Sequence, residues 1–293
     1  RFQRLIIPFI FGVIFIIPSQ YYYQHLQKQP DLLYWNFMRH YPAFIASRPY
    51  KFDIFQWLLE LGIHLWYLPS LYIMTILLYP VLKRMNYSRA IKVLTQRPAL
   101  LMVFALPVIL TLILLKPIFP EYTSVADFMT YAILFLYGYV FTSEHSLALP
   151  VLHKNGTRLL VTGILSSLLL IGCLLVPSLK EAAFHPEFSI NHSVVAILLG
   201  LSAFSWPLYF VHLYSRKFDK GNKLLPELNR GVLPVYIIHQ TIIVVVGFYI
   251  IHDVNNGLLQ FTLIVSMTIL LSIPFYLLVK KFRAGRFLFG IRG

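Results

Sequence analysis

Residues 60–84 read ELGIHLWYLPSLYIMTILLYPVLKR. Between Glu60 and Lys83 the segment carries no Asp, Glu, Lys or Arg, and about 20 apolar residues suffice for a helix to cross the hydrocarbon core of a bilayer. The segment therefore predicts a transmembrane helix. Glu60 and His64 are a helical turn apart at its edge, so they would share one face. Ionisable groups at the end of a membrane helix are candidates for a functional site.

The rest of the chain repeats this pattern. Of its 293 residues 58% are hydrophobic and only 12% are charged, whereas a soluble domain carries about 25% charged residues. The sequence predicts an all-α polytopic membrane protein with one helical domain over residues 1–293. Eight apolar segments are long enough to span a membrane: 5–23, 61–82, 98–118, 125–143, 159–177, 192–214, 232–251 and 258–279.

The net charge of +14 is explained by membrane topology. Most lysines and arginines fall in alternate connections between the spans, starting at the N-terminus, and this excess of positive charge marks cytoplasmic loops. We therefore expect both termini to be cytoplasmic, and a nucleic-acid partner is not needed to explain the charge. The opposite side carries only Lys28, Arg39, Arg48, Lys51, Lys116 and Lys180.

Two arginines open the chain. Arg1 and Arg4 are three residues apart and share a helix face near the expected inner interface. Guanidinium groups match phosphate oxygens in bidentate geometry, so the pair would suit a coenzyme that carries several phosphates. Simple anchoring by positive charge explains the same residues, and both interpretations stay open.

Histidines supply the candidate catalytic groups. Glu60 is placed to fix the tautomer of His64 and to raise its basicity, as general-base catalysis requires. His239 lies inside the seventh span with Tyr236 three residues before it, and it is either a packed, satisfied group or a functional one. The histidines are too scattered and cysteine too scarce for a metal site, so we predict no metal.

Four segments resemble the acyltransferase type 3 family, in the order and spacing of that family. Its transmembrane succinyltransferases of periplasmic glucan biosynthesis look most similar. The family usually has ten helices, so the resemblance implies two more helices upstream of Arg1. The family's principal histidine lies in the first of them, and we expect the chain to be an N-terminally truncated member. The similar segments are Arg1–Leu5 with Pro8, Glu60–Leu68, Tyr236–Gln240 and Phe275–Gly290.

The resemblance also implies a reaction. Acetyl or succinyl would pass from acyl-coenzyme A, the donor substrate, to a hydroxyl of a cell-surface or periplasmic glycan. The enzyme would be a multi-pass protein of the bacterial inner membrane, with no permanently bound cofactor. Arg1 and Arg4 would hold the coenzyme phosphates. His239 and Tyr236 would line the inner half of the cavity, and Glu60 and His64 its outer mouth.

Two other functions remain as alternatives. A transporter or flippase of a glycan or lipid-linked intermediate would also place polar residues at both membrane faces. The chain lacks the repeated pair of broken helices that usually marks a transporter site. A polytopic receptor or structural subunit is the third alternative, and the short cytoplasmic loops give it little support.

Overall fold

A computed structural model of the chain describes residues 2–47, 54–84, 87–217 and 224–291. Within these ranges every regular element is helical. The first elements are α1 (Phe2–Phe11), a π-helical turn (Gly12–Ile16), α2 (Ile17–Leu26), α3 (Tyr34–Ala46), α4 (Ile54–Gly62), a 3₁₀ turn (Ile63–Trp66), α5 (Tyr67–Arg84) and α6 (Tyr87–Gln96). The later elements are a 3₁₀ segment (Pro98–Phe104), α7 (Ala105–Leu115), α8 (Val125–Ser143), α9 (His145–Cys173), α10 (Pro177–Phe184), α11 (Ile190–Lys217), α12 (Leu224–Asp253), α13 (Gly257–Lys281) and α14 (Arg283–Leu288).

Eight of these helical segments are long and apolar enough to cross a membrane, which confirms the predicted number. Their outward faces are apolar too, since side chains such as Leu168, Leu169 and Ile171 are more than half exposed. So much exposed apolar surface is typical of helices that face lipid. The eight segments are Phe2–Leu26, Glu60–Arg84, Pro98–Leu115, Val125–Ser143, His145–Cys173, Ile190–Lys217, Leu225–Asp253 and Gly257–Lys281.

The helix that contains most of the predicted span 159–177 begins well before residue 159. Helix α9 begins at His145, so the polar residues Lys154, Asn155 and Arg158 lie inside it and not in a loop. The helix tolerates Asn155 because its side-chain amide donates hydrogen bonds of 2.9 Å to the carbonyl oxygens of Pro98 and Val151. A buried polar group that is hydrogen-bonded in this way costs little.

The chain divides into two compact units. The first comprises residues Arg1–Ile73 and Asn222–Gly293, and the second comprises Met74–Gly221. In the first unit, α1, α2, α3, α12 and α13 enclose a core of large apolar side chains. Its buried members are Leu5, Phe9, Ile17, Tyr21, Phe37, Tyr41, Leu58, Leu65, Leu68, Ile237, Tyr276, Phe289 and Ile291.

The second unit is built on the antiparallel pair α9 and α11, with α7 packed against α11. Its core includes Leu101, Leu152, Leu159 and Phe204, each almost fully buried. A salt bridge stabilises the connection between α7 and α8, where Lys116 Nζ lies 2.9 Å from Asp127 Oδ2. These contacts give the second unit a closed core of its own.

The end of the chain folds back onto its beginning within the first unit. Helix α14 contacts α1, and the ring of Phe289 lies 5.3 Å from that of Phe11. The next residue, Gly290, has φ +63°, a conformation that L side chains rarely adopt. A Cβ atom at this position would lie 2.9 Å from the carbonyl oxygen of Arg4 and 2.8 Å from Leu233 Cδ2. The tail therefore packs closely only because residue 290 has no side chain.

We predict that Gly290→Ala destabilises the protein by about 2 kcal/mol or more. The left-handed conformation alone costs an L residue about 1–2 kcal/mol, and the Cβ atom also meets a backbone oxygen that cannot rotate away. Gly172→Ala in α9 is the matched control, because nothing lies within 4 Å of its added Cβ. The temperature at which detergent-solubilised protein stops eluting as a single species measures both variants. Equal melting temperatures of Gly290→Ala and Gly172→Ala would contradict the close packing at Gly290.

Candidate functional site

The candidate site begins where the second membrane segment stops being a regular α-helix. Helix α4 ends at Gly62, Ile63 takes φ +45°, and a 3₁₀ turn leads into α5. Positive φ is a strained outlier for a β-branched residue. Pro69 follows in the first turn of α5, and it has no N–H to complete the preceding backbone pattern. The break therefore leaves carbonyl groups in this stretch that need other donors.

Side chains donate to carbonyl groups of this stretch. Ser70 Oγ donates to the carbonyl oxygen of Trp66, four residues earlier, at 2.9 Å. The hydroxyl of Tyr236, on α12, donates to the carbonyl oxygen of His64. In an apolar surrounding a backbone group without a partner is costly, so these bonds stabilise the irregular turn.

His64 returns a hydrogen bond to α12. Its Nε2 lies 3.1 Å from the carbonyl oxygen of Ile237. Because a carbonyl only accepts, Nε2 carries the proton, and in the neutral ring Nδ1 keeps its lone pair. Nδ1 is enclosed and has no hydrogen-bond partner in the described part of the chain. An enclosed acceptor without a partner calls for an explanation.

His239 is fixed in the complementary tautomer. Its Nδ1 lies 2.7 Å from the carbonyl oxygen of Tyr236 and 3.2 Å from that of Val235. Nδ1 therefore donates, and the lone pair of the neutral ring is on Nε2. The backbone of α12 thus sets the protonation pattern of both imidazoles.

The three rings form one cluster. Ring centroids lie 5.4 Å apart for His64 and His239, 5.7 Å for His64 and Tyr236, and 5.8 Å for Tyr236 and His239. The resemblance implied that His239 and Tyr236 line the inner half of a cavity and that His64 lines its outer mouth. The structure brings them together, because His239 lies near the middle of α12 and the turn at His64 packs against it.

The catalytic role expected of Glu60 stays a prediction, but the contact that sets the tautomer of His64 is with another residue. The carboxylate was expected to fix the tautomer of His64, but the Ile237 carbonyl does so. The helical turn between the two residues is interrupted at Ile63, so they do not have the regular i, i+4 relation of an α-helix. The carbonyl oxygen of Glu60 accepts a hydrogen bond of 2.8 Å from the hydroxyl of Tyr21.

A second set of bonds holds α2 beside the cluster. Gln20, only 1% exposed, donates a hydrogen bond of 2.8 Å to Thr241 Oγ1. Thr241 follows His239 by two residues, so this bond positions the same stretch of α12. The π-helical turn before α2 is fastened by Tyr41, whose hydroxyl donates to the carbonyl oxygen of Val13 at 3.3 Å. Pro18 lacks the N–H that a regular helix would use nearby, so a carbonyl in this turn needs such a donor.

Of the two N-terminal arginines, Arg4 belongs to the described part of the chain. Arg1 lies outside the described residues. Arg4 is exposed on α1 and makes no ion pair within the described ranges. Helix α14, which contacts α1, brings Arg283 and Arg286 to the same helix pair. The Nη1 atom of Arg286 donates to the carbonyl oxygen of Lys280 at 3.0 Å, which fixes its side chain.

Sequence reasoning missed several elements of this site. It identified His64, Tyr236 and His239 but neither the Ile237 carbonyl nor the Gln20–Thr241 pair. Gly62 and Pro69 flank the irregular turn and were the available signal that the helix is interrupted. Among the described residues, His, Cys, Asp and Glu nowhere form a group of three that could hold a metal ion.

The comparison with known proteins agrees with this architecture. A family model described as an acyltransferase domain matches residues 1–277. No curated protein and no solved structure matches the chain. Because the family model covers most of the chain, the protein belongs to the acyltransferase type 3 family, as its four motif segments predicted. With eight segments able to span a bilayer, it is a multi-pass membrane acyltransferase.

We predict that Ile63→Gly costs less stability than Ile73→Gly by about 2 kcal/mol. Both isoleucines are partly buried against the same core. Glycine at 63 releases about 1–2 kcal/mol of left-handed strain, whereas glycine inside α5 costs about 0.5–1 kcal/mol. Unfolding of the two variants by SDS in mixed micelles measures the difference. If both lose the same stability, residue 63 is not strained.

Proposed function

We propose that the protein transfers an acetyl or succinyl group from acyl-coenzyme A to a hydroxyl group of a cell-surface or periplasmic glycan. Membership of an acyltransferase family supports the reaction class. The observation that carries the chemistry is the pair of imidazoles, each held by a backbone carbonyl through one nitrogen. The glycan acceptor rests on the resemblance to the transmembrane succinyltransferases of glucan biosynthesis.

His239 is the general base of the proposal. Its Nδ1–H is committed to the Tyr236 carbonyl, so Nε2 is the nitrogen that can take a proton. It removes the proton of the acceptor hydroxyl while that oxygen attacks the thioester carbonyl. The C–S bond then breaks, and the thiolate takes the proton back from the imidazolium. The products are the glycan ester and free coenzyme A, and a positioned base of this kind contributes about 10²–10⁴-fold in rate.

His64 and Tyr236 are positioning residues in this proposal. The hydroxyl of Tyr236 donates a hydrogen bond to the His64 carbonyl oxygen, and His64 Nε2 donates one to the Ile237 carbonyl oxygen. Together they hold the strained turn against the part of α12 that carries His239. The unpartnered Nδ1 of His64 lies in an imidazole whose ring centre is 5.4 Å from that of His239.

We predict that His239→Gln lowers kcat at least 100-fold, because glutamine has no basic nitrogen. His64→Gln keeps an N–H that can reach the Ile237 carbonyl, so it should retain about a tenth of the activity, while His64→Ala falls much lower. The measurement is the rate of alkali-labile ester formation on the glycan, with the full-length protein in proteoliposomes. His185→Gln, at an exposed site in α10's C-cap, is the control.

Each outcome of that assay bears on one role. If His239→Gln keeps more than half of the wild-type activity, His239 is not the general base. Equal losses in His64→Gln and His64→Ala would mean that His64 acts through more than its hydrogen bond. Movement of glycan without any ester product would favour the transporter alternative.

Arg4 is proposed to bind the phosphates of the donor. It is an exposed guanidinium without an ion pair in the described part of the chain, beside a helix that carries two more arginines. A charge-assisted hydrogen bond contributes about 1.5–3 kcal/mol. Arg1, the other residue of the predicted clamp, remains part of this proposal.

We predict that Arg4→Gln raises the KM for acyl-coenzyme A by about 10-fold or more, with a smaller effect on kcat. Arg84→Gln, which removes an exposed cation from the end of α5, should leave KM unchanged. Initial rates with acetyl- and succinyl-coenzyme A, each varied at saturating glycan, measure both variants and identify the preferred donor. An unchanged KM in Arg4→Gln would show that the residue is only a membrane anchor.

A further inference from the structure

The second unit contains a polar cluster that the proposed reaction does not use. His153 on α9 faces α11, where its Nε2 lies 3.0 Å from Ser215 Oγ. The Ser215 hydroxyl in turn donates to the carbonyl oxygen of His212 at 3.0 Å. Since that hydroxyl has one proton, His153 Nε2–H must be the donor to Ser215. The rings of His153 and His212 are 5.4 Å apart, so two imidazoles and a hydroxyl form one connected group.

His212 is held tightly in this cluster. A Cβ atom on Gly156 of α9 would overlap the His212 ring, so the imidazole fills the space that the glycine leaves open. Its Nδ1 is enclosed and has no hydrogen-bond partner among the described residues. An enclosed polar atom without a partner is costly.

An open cavity of about 440 Å³, lined by residues of α11, adjoins this imidazole. Two of its lining residues carry a permanent positive charge, and two more, the imidazole of His212 and the phenol of Tyr209, can donate hydrogen bonds. Among the described residues none that lines it is acidic, and neither cation takes part in an ion pair. The cavity is lined by Tyr209, His212, Leu213, Arg216 and Lys217.

We propose that this cavity is a phosphate-binding site, which takes either the phosphate of a lipid headgroup or a soluble phosphate. Arg216 offers the bidentate fork that suits phosphate oxygens, and Lys217 adds a second charge. Both residues end a membrane-spanning helix, where phosphate-bearing headgroups are found. Simple anchoring would explain the two cations, but it would require neither a cavity nor a rigid imidazole beside them.

The test compares two double variants with the same loss of charge. Arg216→Gln/Lys217→Gln removes both cations of the cavity, and Lys83→Gln/Arg84→Gln removes an equally exposed pair at the end of α5. Both pairs are at the surface, so both proteins should fold, and the melting temperature checks this. Each is purified as the full chain in phosphatidylcholine nanodiscs. One arm titrates inorganic phosphate by calorimetry, and the other measures retention of phosphatidic acid by native mass spectrometry.

We expect the cavity variant to bind at least one probe about 10-fold more weakly than the wild type, and the α5 variant to bind normally. Loss confined to inorganic phosphate would support a soluble ligand, and loss confined to phosphatidic acid would support a lipid headgroup. Equal losses in the two double variants would overturn the proposal, because general surface charge would then explain binding. Failure of the wild type to bind either probe would overturn it as well. Because the readout is binding, failure of the acyltransfer proposal would not affect this result.

Discussion

Two reciprocal hydrogen bonds hold the interrupted helix of the first unit against α12. The Tyr236 hydroxyl donates to the His64 carbonyl, and His64 Nε2 donates to the Ile237 carbonyl. They join a strained, interrupted helix to a long regular one. In an apolar medium the carbonyl groups freed by such an interruption must find donors inside the protein. The strain at Ile63 is therefore tolerated because α12 provides a donor, and the pairing in turn determines where His64 lies.

The same pairing determines the chemistry available at the site. Two imidazoles lie with ring centres 5.4 Å apart, and each gives one N–H to the backbone of α12. A carbonyl group cannot donate, so it selects one tautomer of each ring more reliably than a hydroxyl would. The nitrogen that keeps its lone pair in each ring is therefore set by hydrogen bonds to the backbone. The Gln20–Thr241 bond then limits the movement of this part of α12 relative to α2.

In the second unit, too, buried polar side chains donate hydrogen bonds to backbone carbonyl groups of other segments. Asn155 and His192 are buried, and each is hydrogen-bonded to a backbone carbonyl on another segment, at Pro98 and Leu112. Such bonds explain why α9 continues through polar residues that looked like a loop. The Nδ1 atoms of His192 and His212 both lack a hydrogen-bond partner among the described residues. His212 also lines a cavity with two cations, which is why that cavity is the part of this unit proposed to bind a ligand.

Sequence alone determined the class of the fold, because apolar length and scarce charge are properties of each segment by itself. It predicted eight spans, the acyltransferase type 3 family and the residues His64, Tyr236 and His239. It did not determine how those residues meet. The i, i+4 relation of Glu60 and His64 assumed an unbroken helix, and the left-handed Ile63 removes it. Only tertiary packing decided that α12 supplies the partner of His64, because hydrogen bonds between residues 173 positions apart depend on how helices pack and not on local spacing.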